Sequence, residues 1–301
     1  MFSVITVPDD AADLIEQLGS RPKIWYHNPQ SVRCLYKEVR SATGEDWSEK
    51  VVSELCSLLG LPHAQYDFAL WKGRRGVVTP TFVPQGGRLV HGNELLVKIV
   101  PEYPGTKSFR VRQHTLSIVL TILRAANVAV PMGWDPISGV NTGAAVFVGY
   151  LMLDALVGNT DRHHENWSLV VSPEMSIHLA PTYDHASSLG RNESDENRLT
   201  RLTTRDEGWS IRRYVERTGS AFYPTTGVKP FTTYEAFAET AKSLPRAARA
   251  WLERLEAVPL AQMTAIFEQV PQHLISEPAA QFGQKMFEMN RGRLLKLKGS
   301  L

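Results

Sequence analysis

Residues Leu153-Asp-Ala-Leu-Val-Gly158-Asn-Thr-Asp161-Arg-His-His-Glu-Asn166-Trp-Ser-Leu-Val-Val171, followed by His178-Leu-Ala-Pro-Thr-Tyr-Asp184-His-Ala-Ser-Ser188, decide the reading of this chain. A nearly all-apolar helix, Val146 to Val157, runs into a polar loop in which Asp161 and Asn166 stand five residues apart. Trp167 to Val171 then reads as a short strand, Ile177 to Ala180 as its hairpin partner, and Asp184 follows directly. Phosphoryl transfer asks little covalent chemistry of a protein, but it needs a carboxylate near the attacking hydroxyl and oxygen ligands for magnesium on the phosphates. Asp161 would supply the first, and Asn166 and Asp184 the second. An Asp-x4-Asn pair alone is expected roughly once by chance in a chain of this length. The weight therefore rests on the order helix, loop, strand, strand, aspartate, which protein kinases share. The competing reading is two turns in which Asp161 and Asp184 cap local backbone donors.

Working outward toward the N-terminus, Ile24-Trp-Tyr26 and Val32-Arg-Cys-Leu-Tyr36 are aromatic and β-branched runs separated by His27-Asn-Pro-Gln30, which predicts a β-hairpin over Lys23 to Val39. Between Asp46 and Leu59 the apolar residues Val51, Val52, Leu55, Leu58 and Leu59 share one helical face, and Gly60 stands as the stop. Strands are expected around Ala64 to Leu70, Gly76 to Val83 and Arg88 to Val90. Leu95 to Val100 reads as a strand carrying the interlobe hinge, with Pro101 to Gly105 as linker. Beyond it the pattern turns helical: Gln113 to Ala126, then Tyr234 to Ala241, Leu244 to Val258, Leu260 to Val270 and Glu277 to Lys298. The polar stretch Gly190 to Glu207 reads as a mobile surface loop. The expected fold is α+β and two-lobed like a protein kinase: a small β-rich N-terminal lobe with one main helix (residues 1–103), which binds nucleotide, and a larger, mostly helical catalytic lobe (104–301).

Composition narrows the class. Of 301 residues, 43% are hydrophobic and 21% charged, which is globular. The 33 basic and 31 acidic residues nearly cancel, so overall charge calls for neither nucleic acid nor an anionic membrane as partner. Cys34 and Cys56 sit in apolar surroundings without metal-ligand spacing and read as reduced core residues. No apolar run approaches the ~20 residues of a membrane span, and the N-terminus lacks a basic n-region, so a soluble cytoplasmic protein is expected.

Gly158-Asn-Thr-Asp-Arg-His-His-Glu-Asn-Trp-Ser-Leu169 and Leu179-Ala-Pro-Thr-Tyr-Asp-His-Ala-Ser187 resemble the catalytic and metal-binding motifs of HipA-like serine/threonine kinases. Gly19-Ser-Arg-Pro-Lys-Ile-Trp25, Leu35-Tyr-Lys-Glu38, Gly44-Glu-Asp-Trp-Ser-Glu-Lys50, Leu59-Gly-Leu-Pro62 and His91-Gly-Asn-Glu94 resemble the shorter, single-chain members of that family, which include cell-translocating bacterial kinases. The resemblance covers most of residues 19 to 190. It implies ATP and Mg2+ as cofactors, Asp161 as catalytic base and Asn166 and Asp184 as metal ligands. It also implies Lys37 as the strand lysine that holds the nucleotide phosphates, with Glu49 as its helix partner and Glu54 as the rival. Gly19, Ser20 and Lys23 fall on the family's phosphate loop, where glycine lets backbone N–H groups approach phosphate oxygens; a plain turn is the alternative, since Pro22 removes a donor.

By the same resemblance His163 hydrogen-bonds within the catalytic loop and fixes Asp161, while His164 is expected to be exposed. His163, His164, His178 and His185 have no His-x3-His or cysteine-pair spacing, so zinc is not called for. The implied partners are a protein with a Ser/Thr acceptor and an antitoxin, in a bacterial cytoplasm or, for a secreted effector, in a host. Gly158-Asn-Thr-Asp-Arg-His-x2-Asn166 also resembles the catalytic loop of phosphatidylinositol 3/4-kinases, so a lipid or small-molecule kinase is the second reading. A pseudokinase or binding module is the third, and it has no use for Asp161, Asn166 and Asp184 together.

Overall fold

Buried Ile24 and Tyr26 on β3 (Lys23–His27) and buried Cys34 and Tyr36 on β4 (Arg33–Glu38) alternate with more exposed neighbours, so the two strands share one core face. They pair antiparallel with Trp25 opposite Leu35, and the Asn28 side-chain oxygen closes the turn by accepting from the backbone N–H groups of Gln30 and Val32. In this computed structural model, which describes residues 1–16, 22–40, 43–125 and 127–301, the hairpin belongs to a six-stranded sheet in which β4 is a central strand. With β1 (Val4–Val7), β2 (Leu14–Glu16), β5 (Asp67–Trp71) and β6 (Arg74–Pro80), the sheet order is β1-β5-β6-β4-β3-β2. Only β1 and β5 run parallel.

Helix α1 (Glu45–Leu59) lies between this sheet and the rest of the molecule, with Val51, Val52, Leu55, Cys56 and Leu59 fully buried. Gly60 ends it at φ 67°, a left-handed conformation open to glycine, and Leu61 N–H closes the cap on Cys56 O. Next, Ala64 N–H donates to Thr182 O and Thr182 N–H to Pro62 O, tying the exit of α1 to the segment that carries Asp184.

After Pro80 the chain leaves the first sheet. Strand β7 (Arg88–His91) pairs with β8 (Ser168–Val171), which pairs with β9 (Ile177–Leu179), in a separate antiparallel sheet. The hinge strand expected over Leu95 to Val100 is instead helix α2 (Gly92–Ile99). A capping box between the His91 side chain and Glu94 starts the helix, with Glu94 accepting from His91 N–H at 2.9 Å.

The remainder is helical: α3 (Leu116–Ala125), α4 (Gly143–Val157), α5 (Asp195–Thr203), α6 (Ile211–Arg217), α7 (Thr233–Ser243), α8 (Pro245–Ala257), α9 (Leu260–Glu268) and α10 (Glu277–Lys298). Every residue of α4 is buried, and α3, α7, α8 and α10 pack around it. Trp251 of α8 donates its indole N–H to Ala145 O, fixing one of these contacts. The expected surface loop of 190–207 is partly wrong: α5 lies within it, capped by Ser194 and anchored where buried Arg198 donates to Gly190 O and Arg191 O. Among the described residues no helix is long and apolar enough to cross a membrane.

Candidate active site

Helix α4 delivers the loop of residues 158–166. Gly158 ends the helix at φ 64°, and its N–H donates to Asp154 O. Asp154 is the one charged residue in that apolar helix, and it receives Arg162 in a bidentate pair, from Nε at 2.9 Å and Nη2 at 2.7 Å. Both side chains are almost fully out of water, so the pair depends on its geometry to offset desolvation. Asn159 adds a 2.9 Å bond to the same carboxylate, and Arg162 Nη1 donates to Asn166 O at 3.0 Å. The Asn166 amide nitrogen then donates to the backbone carbonyl of Asp161 at 2.6 Å, closing the loop on itself. With that nitrogen engaged, the Asn166 side-chain oxygen is the end left for a cation.

Asp161 accepts from Ser187 Oγ at 3.5 Å, and its Oδ1 lies 3.6 Å from His163 Nε2. That Oδ1 is buried and has no hydrogen-bond partner. Burial pushes the Asp161 carboxyl above the usual carboxylate range, and His163 opposes the rise.

Asp184, at φ 57°, stands just beyond β9, and its Oδ1 is bonded by Lys37 Nζ from β4. Lys37 Nζ is also 3.9 Å from Glu49 Oε2 on α1. Burial works against the charge of both partners, but their pairing prevails: Asp184 is held well below the usual carboxylate range and Lys37 above the usual lysine range. Glu49 Oε1 accepts from His185 N–H at 2.7 Å, so α1 grips the segment after Asp184 directly, while Oε2 has no hydrogen-bond partner. Glu54, the rival, faces away and pairs with Lys50 at 2.6 Å.

The structure thus brings Lys37, Glu49 and Asp184 together, and separately joins Asp161, His163 and Asn166 in one loop. Lys23 stands directly opposite Lys37 in the β3–β4 register, and its charge helps to hold Asp184 ionised. Gly19 and Ser20 lie outside the described residues.

His164, expected to be exposed, is buried: its Nδ1 meets the Tyr103 hydroxyl at 2.7 Å, and burial lowers its pKa to about 4. Residues absent from the sequence reading also build the site. Asp154 and Arg162 are two; the signal was there, as a lone carboxylate in a wholly apolar helix needs a buried partner. Arg191 is another, donating to Ser187 Oγ and pairing with Glu45 of α1 at 2.8 Å. Nothing in its local sequence marks it.

Asp184 and the Asn166 oxygen are hard donors of the kind magnesium takes. Among the described residues no group of three His, Cys, Asp or Glu side chains is arranged to hold a metal by itself. Magnesium commonly takes one or two protein oxygens and completes its shell with phosphate and water, so this donor set fits it.

Residues 125–263 match the family model of the HipA-like C-terminal domain. Among solved structures, the Helicobacter pylori proinflammatory kinase CtkA superposes with a TM-score of 0.76 at 18% identity, over 99% of this chain and 98% of that one. A chain of the Shewanella oneidensis MR-1 toxin–antitoxin complex of HipA, HipB and operator DNA superposes with a TM-score of 0.55 at 14% identity, over 96% of this chain and 66% of that one. No curated protein matches the sequence.

Proposed function

We propose that this chain, which carries a HipA-like C-terminal domain on a kinase fold, is an ATP-dependent kinase that phosphorylates serine or threonine hydroxyls of a protein. The observation that carries the reading is the meeting of Lys37, from the six-stranded sheet, with Asp184, from beyond β9, while Glu49 Oε2 waits 3.9 Å from the same ammonium without a hydrogen bond. A scaffold gains nothing from an orphaned buried carboxylate oxygen. A nucleotide site does: when Asp184 turns to a cation, Glu49 keeps Lys37 paired and aimed at the phosphates.

Asp184 and Asn166 would hold magnesium, which when bound neutralises charge on the phosphate oxygens. Lys37 would hold the α- and β-phosphates, and Lys23, on the adjacent strand, adds a second positive charge facing the same place. Asp161 orients the acceptor hydroxyl and takes its proton as the hydroxyl oxygen bonds to the γ-phosphorus and the bond from that phosphorus to the β-phosphate bridging oxygen breaks. Burial raises the affinity of Asp161 for that proton, and His163, 3.6 Å away, opposes the rise. The Asp154–Arg162 pair acts at one remove, holding Asn166 through its backbone carbonyl. An antitoxin-type partner belongs to the same reading and rests on the likeness to the Shewanella complex alone.

The test is incubation with γ-labelled ATP and magnesium, in parallel with a protein mixture and a phosphoinositide panel. Label in protein is the expected result. Label in lipid alone would make the chain a lipid kinase, and label in neither would overturn the reading.

A further inference from the structure

The segment Lys107-Ser-Phe-Arg-Val-Arg112 borders the catalytic loop, and the mechanism above gives it no task. Phe109 is 67% exposed, yet its ring stands edge-on to His163 with centroids 5.4 Å apart. His163 in turn is the neighbour of Asp161. Ser108 Oγ donates to Glu165 Oε2 at 3.3 Å, fixing the segment to the same loop. Lys107, Arg110 and Arg112 are all exposed, and among the described residues none is paired with a carboxylate. Arg110 adopts φ 58°, a left-handed conformation that a side chain takes only where surrounding structure imposes it.

Beneath this strip lies a cavity of about 410 Å3, walled by Phe109, Arg110, His114, Thr160, His164 and Ser220 among others. Thr160 directly precedes Asp161, so one wall of the cavity belongs to the loop that carries the base. His164 has a buried Nε2 without a hydrogen-bond partner, an unusual state for a ring nitrogen.

We infer that the cavity and strip form the acceptor-docking site, and that they select an acidic protein segment: a serine or threonine flanked by Asp or Glu. This rests on the protein-kinase reading. Three exposed cations within six residues attract a segment of opposite charge and disfavour a basic one. Phe109 gives an apolar platform for the residue beside the acceptor. The hydroxyl then lies toward Asp161, with proton and phosphoryl group passing as described above. A bilayer fits less well, because Phe109 is the one exposed large apolar side chain in the strip and the approach is concave.

The experiment compares three synthetic serine peptides with acidic, neutral and basic flanks. The enzymes are the wild type and the charge-reversed variant Lys107→Glu/Arg110→Glu/Arg112→Glu, with label transfer and fluorescence anisotropy of the labelled peptides read in parallel. The wild type should favour the acidic over the neutral peptide by about tenfold in kcat/KM, mostly through KM, and lose that preference as salt rises. The reversed variant should favour the basic peptide, a gain that misfolding cannot produce. Equal use of all three peptides by the wild type, or an unchanged preference in the variant, overturns the acidic selection and leaves the kinase reading standing. Label in phosphoinositide vesicles but in no peptide overturns both and assigns the strip to anionic headgroups.

Discussion

Replacing Asp154 with Asn removes one charge and almost no volume, and it isolates the device that shapes the loop of residues 158–166. Asp154 and Arg162 are 5% and 1% exposed and joined by bonds of 2.9 and 2.7 Å, with Asn159 on the same carboxylate. Removing one partner of such a pair leaves a guanidinium buried without its counter-charge, which costs about 3–5 kcal/mol. For a chain of this size that is a fall of roughly 5–8 °C in Tm. The double variant Asp154→Leu/Arg162→Met removes both charges and should lose clearly less stability than Asp154→Asn. It should stay inactive all the same, because Arg162 Nη1 no longer holds Asn166 O. Urea denaturation midpoints and label transfer, measured on wild type and both variants, separate the two effects. An unchanged midpoint for Asp154→Asn would show that the pair is not buried in solution. Full activity in the double variant would show that it does not position Asn166.

Lys37→Met should reduce label transfer severely while lowering the thermal midpoint less than Asp154→Asn does, because Lys37 and Asp184 are 18% and 30% exposed, and Glu49→Gln should reduce transfer more mildly, since the amide still accepts from His185 N–H. Near-wild-type turnover in Lys37→Met would remove the lysine from the site. Asp184→Ala should weaken magnesium-ATP binding in calorimetry, and unchanged affinity would show that Asp184 is not a ligand. His114 accepts from Trp167 Nε1–H and donates to Ala221 O, and burial lowers its pKa to about 3. The unfolded chain therefore binds a proton near pH 6.5 that the folded chain refuses. This term leaves stability intact above that pH and removes roughly 3–5 kcal/mol as pH falls toward 3. Denaturation midpoints of His114→Gln should fall less steeply with acidification than those of the wild type, and parallel profiles would contradict the assignment.

The elements that were legible in the sequence are those whose burial follows a local period. Ile24, Tyr26, Cys34 and Tyr36 alternate, and Val51, Val52, Leu55 and Leu59 recur on one face, so hairpin and helix could be placed to within a residue or two. Helix α2 was hidden because Leu95-Leu-Val-Lys-Ile-Val100 has strand composition; what makes it helical is the His91–Glu94 box, and histidine is not a usual capping residue. Helix α5 was hidden because its anchor is buried Arg198 reaching back to Gly190 and Arg191 carbonyls, a contact without periodicity. His164 was misplaced for a related reason: Tyr103, 61 residues earlier, covers it. In the site, the spacing of Asp161, Asn166 and Asp184 was readable because one helix and one hairpin fix it. Lys37 and its partner Glu49 came from family resemblance, and the meeting of Lys37 with Asp184 was not foreseen, since two residues 147 apart carry no local mark of proximity. Arg191 had neither kind of signal.

The central claim is that Asp161 is the base of a phosphoryl-transfer centre. The most direct measurement is transfer of label from γ-labelled ATP by Asp161→Ala, alongside calorimetric magnesium-ATP affinity of the same variant. Asp161 lies in a polar loop and bonds neither Lys37 nor Asp184, so the account predicts loss of transfer by at least about 100-fold with nucleotide affinity and fold retained. Near-wild-type transfer by Asp161→Ala, with the wild type active, would contradict it.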